Sequence, residues 1–578
     1  MNKGLASDNG AMLIGRSIDA PGQTQESPAW GSRKWLLLLM AIALLLRLPG
    51  MQESLWLDEV FVTRVKVGDP ITLMRTILSD YHPPAYLVTM HVWGWVFGDS
   101  EISVRMLPLI SGMLSILVIR ALGCRLAGAR AGFLAAMLLA LSPTHIWYSH
   151  EARPYATVLL MVLLATLAWY RLAEPRLTVR DRRRWTWVWF ASLGFALFTH
   201  YYVLAIWAAF VVLPWFSRHP MRKRILWLGL LLGAAFAGSL FLKSQLSSLH
   251  TASSYLRSFT PMEFEDLHLD WLLTGHAFTP RMGPRSYVDL LLLPYSLLAL
   301  ACMLVGIYRL LRGNLRRAGH LPGWTFLLLW LAIPALLFAL PLLGFTRSYI
   351  ERSALPVMVW FYLLLAFGLS APTRPWSVRI TTGVTTALLA VLVLVAWQNR
   401  HSWTVYKPRP DWRQASHWLD EQLRRLPAGD ERVRDLYSLG FHPYALSYYD
   451  DRFQMAKRLE SNEKAYERMQ KAIARIFGSE GFPGAWMLRT LEKNFALDRK
   501  QAEHLREGLR LRILLLGEGP EPPAGLPPGP ADCFLVTWPG MVESEARIQS
   551  LVQSPDYEVL DRQDYRLLSL FHIRKRNR

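Results

Sequence analysis

The feature that most constrains this chain is a series of long apolar runs separated by short, basic connections. The runs cover residues 35–49, 104–122, 130–147, 154–170, 185–199, 203–216, 225–243, 287–308, 323–343, 354–371 and 378–397. A bilayer core about 30 Å thick needs about 20 apolar residues to cross as a helix. Runs of this length and number, in a chain that is 52% hydrophobic with positive mean hydropathy and 24 Trp, predict a polytopic helical membrane bundle of about 11 spans.

The net charge of +20 is unusual for such a chain and would ordinarily suggest nucleic acid. Here the basic residues fall mostly in short connections: Arg120, Arg125 and Arg130; Arg171 to Arg184; Arg218 to Arg224; Arg309 to Arg317; Arg374 and Arg379. The alternate turns hold only Arg153, Arg347 and Arg352. That asymmetry predicts a cytoplasmic first set and excludes a nucleic-acid explanation. It also predicts a cytoplasmic N-terminus and a C-terminal region outside, in a multi-pass protein of the bacterial inner membrane. Residues 1–34 read as a disordered cytoplasmic leader and 35–397 as the membrane domain. The run from Pro84 to Phe97 is short for a crossing and reads as interfacial or re-entrant, which makes 50–103 one outer loop. Three cysteines (Cys124, Cys302, Cys533) provide neither a disulfide framework nor a metal spacing.

Past Trp397 the pattern changes. Residues 398–578 read as an extracytoplasmic α/β domain, with a helical stretch at 411–425 and others at 458–477, 498–508 and 541–553. Strand-like runs lie at Val433 to Leu439, Leu511 to Leu516, Cys533 to Trp538 and Leu567 to Ile573.

The outer turns collect the polar residues. Asp58 and Glu59 follow the first apolar run, and Glu151 lies in the next outer turn. Carboxylates at the edge of a partly desolvated cavity suit acid–base work on an acceptor hydroxyl. Adjacent residues diverge on a helix or strand, so one of Asp58 and Glu59 is expected to do chemistry and the other to orient a neighbour. Arg153 and Arg352 sit at the depth of a lipid phosphate, whose oxygens match a guanidinium fork; each also suits a snorkelling anchor. His82, His145, His150 and His200 fall on or near the outer face and suit hydrogen bonds to sugar or phosphate. No His pair has a recognised close metal spacing. Tyr155 and Tyr201 suit stacking on a sugar, and equally the aromatic belt of a membrane interface.

Several of these pieces, taken in order, resemble the GT-C superfamily of membrane glycosyltransferases, in the branch of bacterial relatives of protein O-mannosyltransferases and of the lipid A aminoarabinose transferase. They are Leu55-Trp-Leu-Asp-Glu59, His82-Pro-Pro-Ala-Tyr86, Phe97-Gly-Asp-Ser-Glu101 with Val104-Arg-Met-Leu-Pro108, Ser142 to Tyr155, His200-Tyr-Tyr202, Glu351-Arg-Ser-Ala-Leu-Pro356 and Asp411-Trp-Arg413. The resemblance implies an inverting transfer of a sugar from a polyprenyl-phosphate donor to a hydroxyl of a lipid, glycan or protein. It implies Asp58 as general base or its close partner, Glu151 as a second acidic position, and Arg153 and Arg352 as holders of the leaving phosphate. Some relatives carry Lys where His82 stands. Glu351-Arg-Ser replaces a more usual Arg-Tyr and leaves the phosphate ligand open between Arg347 and Arg352. No cofactor is implied with certainty, and a divalent metal is left open. The alternative reading is a lipid-linked sugar flippase or transporter; the internal repeats expected of one are not evident, and the polar residues gather on one face.

Overall fold

The computed structural model describes residues 33–63, 82–246, 258–265, 288–312, 321–345, 349–371, 375–398, 409–425, 434–439, 511–516, 532–537, 553–565 and 568–576, with a few single positions between them. The residues read above as an N-terminal leader lie outside this set up to 32, as does Arg347. So do most of the loop 244–286 and nearly all of the helical stretches expected at 458–477, 498–508 and 541–553.

The described chain is mainly helical. α1 is Arg33–Leu45, α2 Leu57–Thr63, α3 Ala85–Phe97, α4 Glu101–Ala127, α5 Ala129–Leu141, α6 Pro143–Ser149, α7 Tyr155–Leu172 and α8 Val179–Leu197. They are followed by α9 Val203–Phe216, α10 Arg222–Leu246, α11 Pro261–Glu265, α12 Val288–Leu311 and α13 Gly323–Leu342. A 3₁₀ turn, Glu351–Val357, leads into α14 Met358–Leu369, then α15 Pro375–Gln398 and α16 Trp412–Arg424.

All eleven apolar runs are helical, but among the described residues only five helices are long and apolar enough to cross a membrane alone, or six if a bent pair is one span. The bent pair is α5 and α6, where the run 130–147 was expected to be continuous; the two meet at 65°. The cause is local. Ser142 adopts an extended conformation and its hydroxyl accepts from the His145 amide at 3.2 Å, while Pro143 takes the first helical position, where its missing N–H costs nothing.

Burial separates the helices into two kinds. The span Glu351–Leu369 is 94% buried and α7 83%, whereas Arg222–Ser244 is only 22% buried. The peripheral helices show Trp227, Phe241, Leu342 and Trp376 on the surface, as expected for faces turned to lipid. Small residues set the closest approaches. A Cβ on Gly123 would stand 2.8 Å from Gly132 Cα, so α4 and α5 pack backbone to backbone across the single-residue turn at Gly128, whose φ of +95° suits glycine.

α3 does not run away from the polar end of the bundle. The Ala85 amide at its start donates to the Phe198 carbonyl at 2.8 Å, beside His200. Its far end passes through Gly98 to the Ser100 cap of α4, one turn before Arg105. Both ends of α3 therefore lie at the same end of the bundle.

The C-terminal part contains α16 and a five-stranded sheet of order β2-β1-β3-β5-β4. The strands are β1 Arg434–Leu439, β2 Leu511–Leu516, β3 Asp532–Thr537, β4 Tyr557–Tyr565 and β5 Leu568–Lys575. β1 pairs parallel with β2 and β3; β5 pairs antiparallel with β3 and β4. α16 buries Trp412, Ala415, Trp418, Leu419 and Leu423, a helical stripe, and Trp418 meets Phe534 of β3 edge-on at 6.0 Å. This core is continuous with Leu55, Val60, Val62, Tyr86, Leu87, Met90, Val104 and Ala152, so α2 and α3 pack on the C-terminal part and the membrane bundle at once.

Candidate active site

α2 is short and carries two carboxylates in its first turn, Asp58 and Glu59. Because neighbouring helical residues point about 100° apart, they enter different surroundings.

Glu59 is fully buried against fully buried Arg105 of α4. Arg105 donates Nε to Glu59 Oε1 at 2.9 Å and Nη2 to Oε2 at 2.7 Å, a two-pronged pair. Its remaining donors reach the carbonyls of Gly50, Met51, Glu53 and Ser54 at 2.6–3.2 Å. The Ala152 amide adds a bond to Glu59 Oε1 at 2.9 Å, and Arg409 pairs with Oε2. Burial alone would raise the Glu59 carboxyl, but Arg105 and Arg409 outweigh it and hold it at about 2. A buried ion pair repays its desolvation only when further bonds satisfy both partners, and Arg105 and Glu59 have them. His150 belongs to this side as well: burial first, then Arg409 and Arg105, push it down to about 3, so it is neutral.

Asp58 faces another neighbourhood. Its Oδ2 pairs with Arg352, and both side chains keep about a fifth of their surface exposed, 19% and 20%. Arg153 donates Nη1 to the Asp58 carbonyl at 3.1 Å and lies 5.9 Å from the Tyr155 ring centroid. Burial works to raise the Asp58 carboxyl; Arg153 and Arg352 overcome it and hold it below its ordinary value. Around this pair stand Tyr155, 6.2 Å from His200, and His82, 5.9 Å from His200, ring to ring. His200 is pushed down to about 3 by burial, then by His82, Arg153 and Arg352.

Glu151 lies between the two sides, 1% exposed, with Trp147 Nε1 donating to its Oε2 at 2.6 Å. Burial raises it to about 7, helped by the charges of Glu59 and Asp58 and opposed by Arg409 and Arg352.

The structure thus brings Asp58, Arg153, Arg352, Tyr155, His82 and His200 together. It sets Glu59 and His150 on the opposite, buried side. Tyr201 stands apart, half-buried and 6.3 Å from Phe236 of α10. Among the described residues no group of three or more His, Cys, Asp or Glu could hold a metal ion. A cavity of about 570 Å³ is lined by Leu48, Glu53, Ile102, Met106, Asp411 and Arg413 among others, and not by Asp58 or Arg352.

Three cations were not singled out from sequence. Arg105 carried a signal, an arginine inside an apolar helix, where a charge is costly and needs a partner. Lys243, near the end of α10 and 9% exposed, donates to the His82 carbonyl at 3.0 Å. Arg409 carried no local signal.

Residues 81–240 match the family model described as dolichyl-phosphate-mannose-protein mannosyltransferase. That stretch holds His82, Arg105, Glu151, Arg153 and His200; Asp58, Arg352 and Arg409 fall outside it. No curated protein matches the chain. Among solved structures, ArnT from Cupriavidus metallidurans is similar in its apo state and bound to undecaprenyl phosphate, each with 14% identity, 93% of this chain and 98% of that chain covered, and a TM-score of 0.47. The archaeal oligosaccharyltransferase AglB from Archaeoglobus fulgidus, in complex with an inhibitory peptide and a dolichol-phosphate, shares 14% identity over 72% of this chain and 64% of its own, with a TM-score of 0.42. Residues 81–240 of this chain are thus similar to the dolichyl-phosphate-mannose-protein mannosyltransferase family.

Proposed function

We propose that this protein is an inverting glycosyltransferase that moves a sugar from a polyprenyl-phosphate donor to a hydroxyl of a lipid, glycan or protein acceptor at the extracytoplasmic face of a bacterial inner membrane. The observation that carries the reading is the part-exposed Asp58–Arg352 pair, with Arg153 on the Asp58 carbonyl and a buried frame behind it.

In this reading Asp58 takes the proton of the acceptor hydroxyl as its oxygen attacks the anomeric carbon. The bond to phosphate breaks, and the charge left on phosphate falls to Arg352 and Arg153. A phosphate is a good leaving group and needs cations more than an acid. Arg352 pairs with Asp58, and a donor phosphate competes for the same fork. When Arg352 turns to the phosphate, Asp58 loses a counter-charge and becomes a stronger base when the donor is in place. Glu59 positions α2 and does not touch substrate. His82, His200 and Tyr155 contact donor phosphate or sugar. The match over 81–240 supports the glycosyltransferase class, and the chemistry of the donor set supports a lipid phosphate.

The test is transfer of labelled sugar in membranes containing Asp58→Asn. Loss of transfer at wild-type protein level is expected; wild-type turnover removes Asp58 from the mechanism. The acceptor is identified by mass spectrometry of the glycolipid or glycan lost on deletion of the gene.

A further inference from the structure

The segment that enters α16 is tied to the α2 loop at every other residue. The Arg409 amide donates to Glu53 Oε2 at 2.8 Å, and its guanidinium lies 5.9 Å from the Trp56 ring centroid while pairing with Glu59. Ser54 Oγ donates to Asp411 Oδ1 at 3.1 Å and accepts from the Arg413 amide at 3.2 Å. The Arg413 side chain bonds Glu101 through Nε at 2.9 Å and the Gln52 carbonyl at 3.0 Å. Between these contacts Trp412 is buried in the core that also holds Leu55, Val60 and Ala152.

We propose that Arg409 is a positioning residue, through which the C-terminal helix-and-sheet unit holds Glu59 in place and sets the charge that Glu151 faces. The geometry supplies two routes. Glu59 and Asp58 are consecutive in one helical turn, so a guanidinium that clamps Glu59 sets the direction of Asp58. Glu59 in turn accepts from the Ala152 amide, next in the chain to Glu151. The C-terminal unit therefore forms part of the wall of the site.

Glu151 reports on this arrangement. The groups that act on it are Glu59 and Asp58 of α2, Arg352 from the 3₁₀ turn, and Arg409; Tyr86, Tyr148, Tyr155 and Trp147 also surround it. Two of the charges repel its carboxylate and two attract it, and Arg409 is the foremost attractor. Removing Arg409 leaves Glu59 with Arg105 and the Ala152 amide, so no buried carboxylate loses its last partner and the variant is expected to fold.

The role rests on the carboxylate site proposed above, but its test is read without turnover and so separates from the transferase reading. Full-length protein in nanodiscs is titrated by infrared difference spectroscopy, with the protonated carboxyl band of Glu151 assigned by Glu151→Gln. The wild-type midpoint is expected near 7. In Arg409→Gln it rises by about one pH unit, and Arg409→Lys brings it back within a few tenths. Arg413→Ala, which opens the Glu101 contact and keeps Arg409, leaves it in place. Arg409→Met, which preserves packing on Trp56, carries the same test if the Gln variant does not fold. An unchanged midpoint in a folded neutral variant overturns the proposal. Unfolding of both neutral variants, with the Lys variant folded, reduces Arg409 to a folding clamp and overturns it as well.

Discussion

Asp58 and Glu59 are neighbours in sequence and opposites in environment. Glu59 is fully buried, with both oxygens taken by Arg105, the Ala152 amide and Arg409. Asp58 shares a side-chain ion pair with Arg352, and both side chains keep about a fifth of their surface exposed. One helical step separates a fully buried carboxylate held on every side from one that keeps a fifth of its surface exposed. Acidic character alone does not mark a catalytic residue; what matters is whether its partners can be exchanged.

The contrast breaks first under substitution at these two positions. Asp58→Asn is expected to lower sugar transfer by about 100- to 10,000-fold, the range for loss of a general base, at a stability cost below the about 3–5 kcal/mol of a fully buried pair, because both side chains of the Asp58–Arg352 pair keep about a fifth of their surface exposed. Glu59→Gln should act first on stability and on transfer only through the displaced α2. It leaves the Arg105 charge buried with reduced compensation, at a cost of about 3–5 kcal/mol. Protein yield and thermal unfolding in detergent, read beside initial rates, separate the two. Equal losses of stability in both variants would erase the distinction.

Arg352→Gln sharpens the open side. It removes one of the two cations that hold Asp58 low, so the carboxyl moves back up toward the ordinary carboxylate range, with Arg153 still acting on it. Asp58 must be ionised to accept a proton, so activity falls as pH drops through its pKa. The acid limb of the rate profile should therefore lie at higher pH in Arg352→Gln than in wild type. KM for the lipid donor should rise in the same variant, because the fork that competes for phosphate is gone. A profile and KM identical to wild type would detach Arg352 from both roles.

The locked side has its own pH signature. Glu59 titrates at about 2 in the fold against 4.5 for an ordinary Glu. The unfolded chain thus binds the proton first as pH falls, and the stability this group contributes is whole above 4.5 and fades toward 2. The difference in unfolding temperature between wild type and Glu59→Gln should shrink over that window. Glu151 has the opposite sign. Raised to about 7, its protonated form favours the fold fully below 4.5, and that advantage is lost as pH rises through about 7.

Much of this arrangement was legible in the chain, for identifiable reasons. Apolar runs marked the helices because lipid enforces one composition over a whole segment. Asp58, Glu151, Arg153 and Arg352 stood out because charges at the ends of such runs are costly. The break at Ser142-Pro143 had a cap residue and a proline as signals, but the apolar composition runs straight through it, and length alone cannot show a 65° bend. Three expected strands and most of a fourth match β1, β2, β3 and β5, whereas β4 was not foreseen. Its residues Glu558, Asp561, Arg562 and Asp564 give it the charged composition of an edge strand, which hides the alternation that a buried strand shows. Arg409 was beyond reach for another reason. Its amide partner Glu53 is 356 positions away, and no local pattern encodes so distant a contact.

The smallest expected effect lies at the edge of the locked side. Arg413 bonds Glu101 and the Gln52 carbonyl, but its side chain is 42% exposed, so water competes for each donor. Arg413→Ala should cost less than about 1 kcal/mol and leave the rate profile unmoved, because Trp412 stays buried beside it and the Ser54–Asp411 bond remains. That outcome places the grip of the C-terminal unit at Arg409 and the apolar core. A loss in Arg413→Ala as large as that in Glu59→Gln would move it outward to the surface ion pairs, and burial would no longer explain why one carboxylate is locked and its neighbour holds a single ion pair.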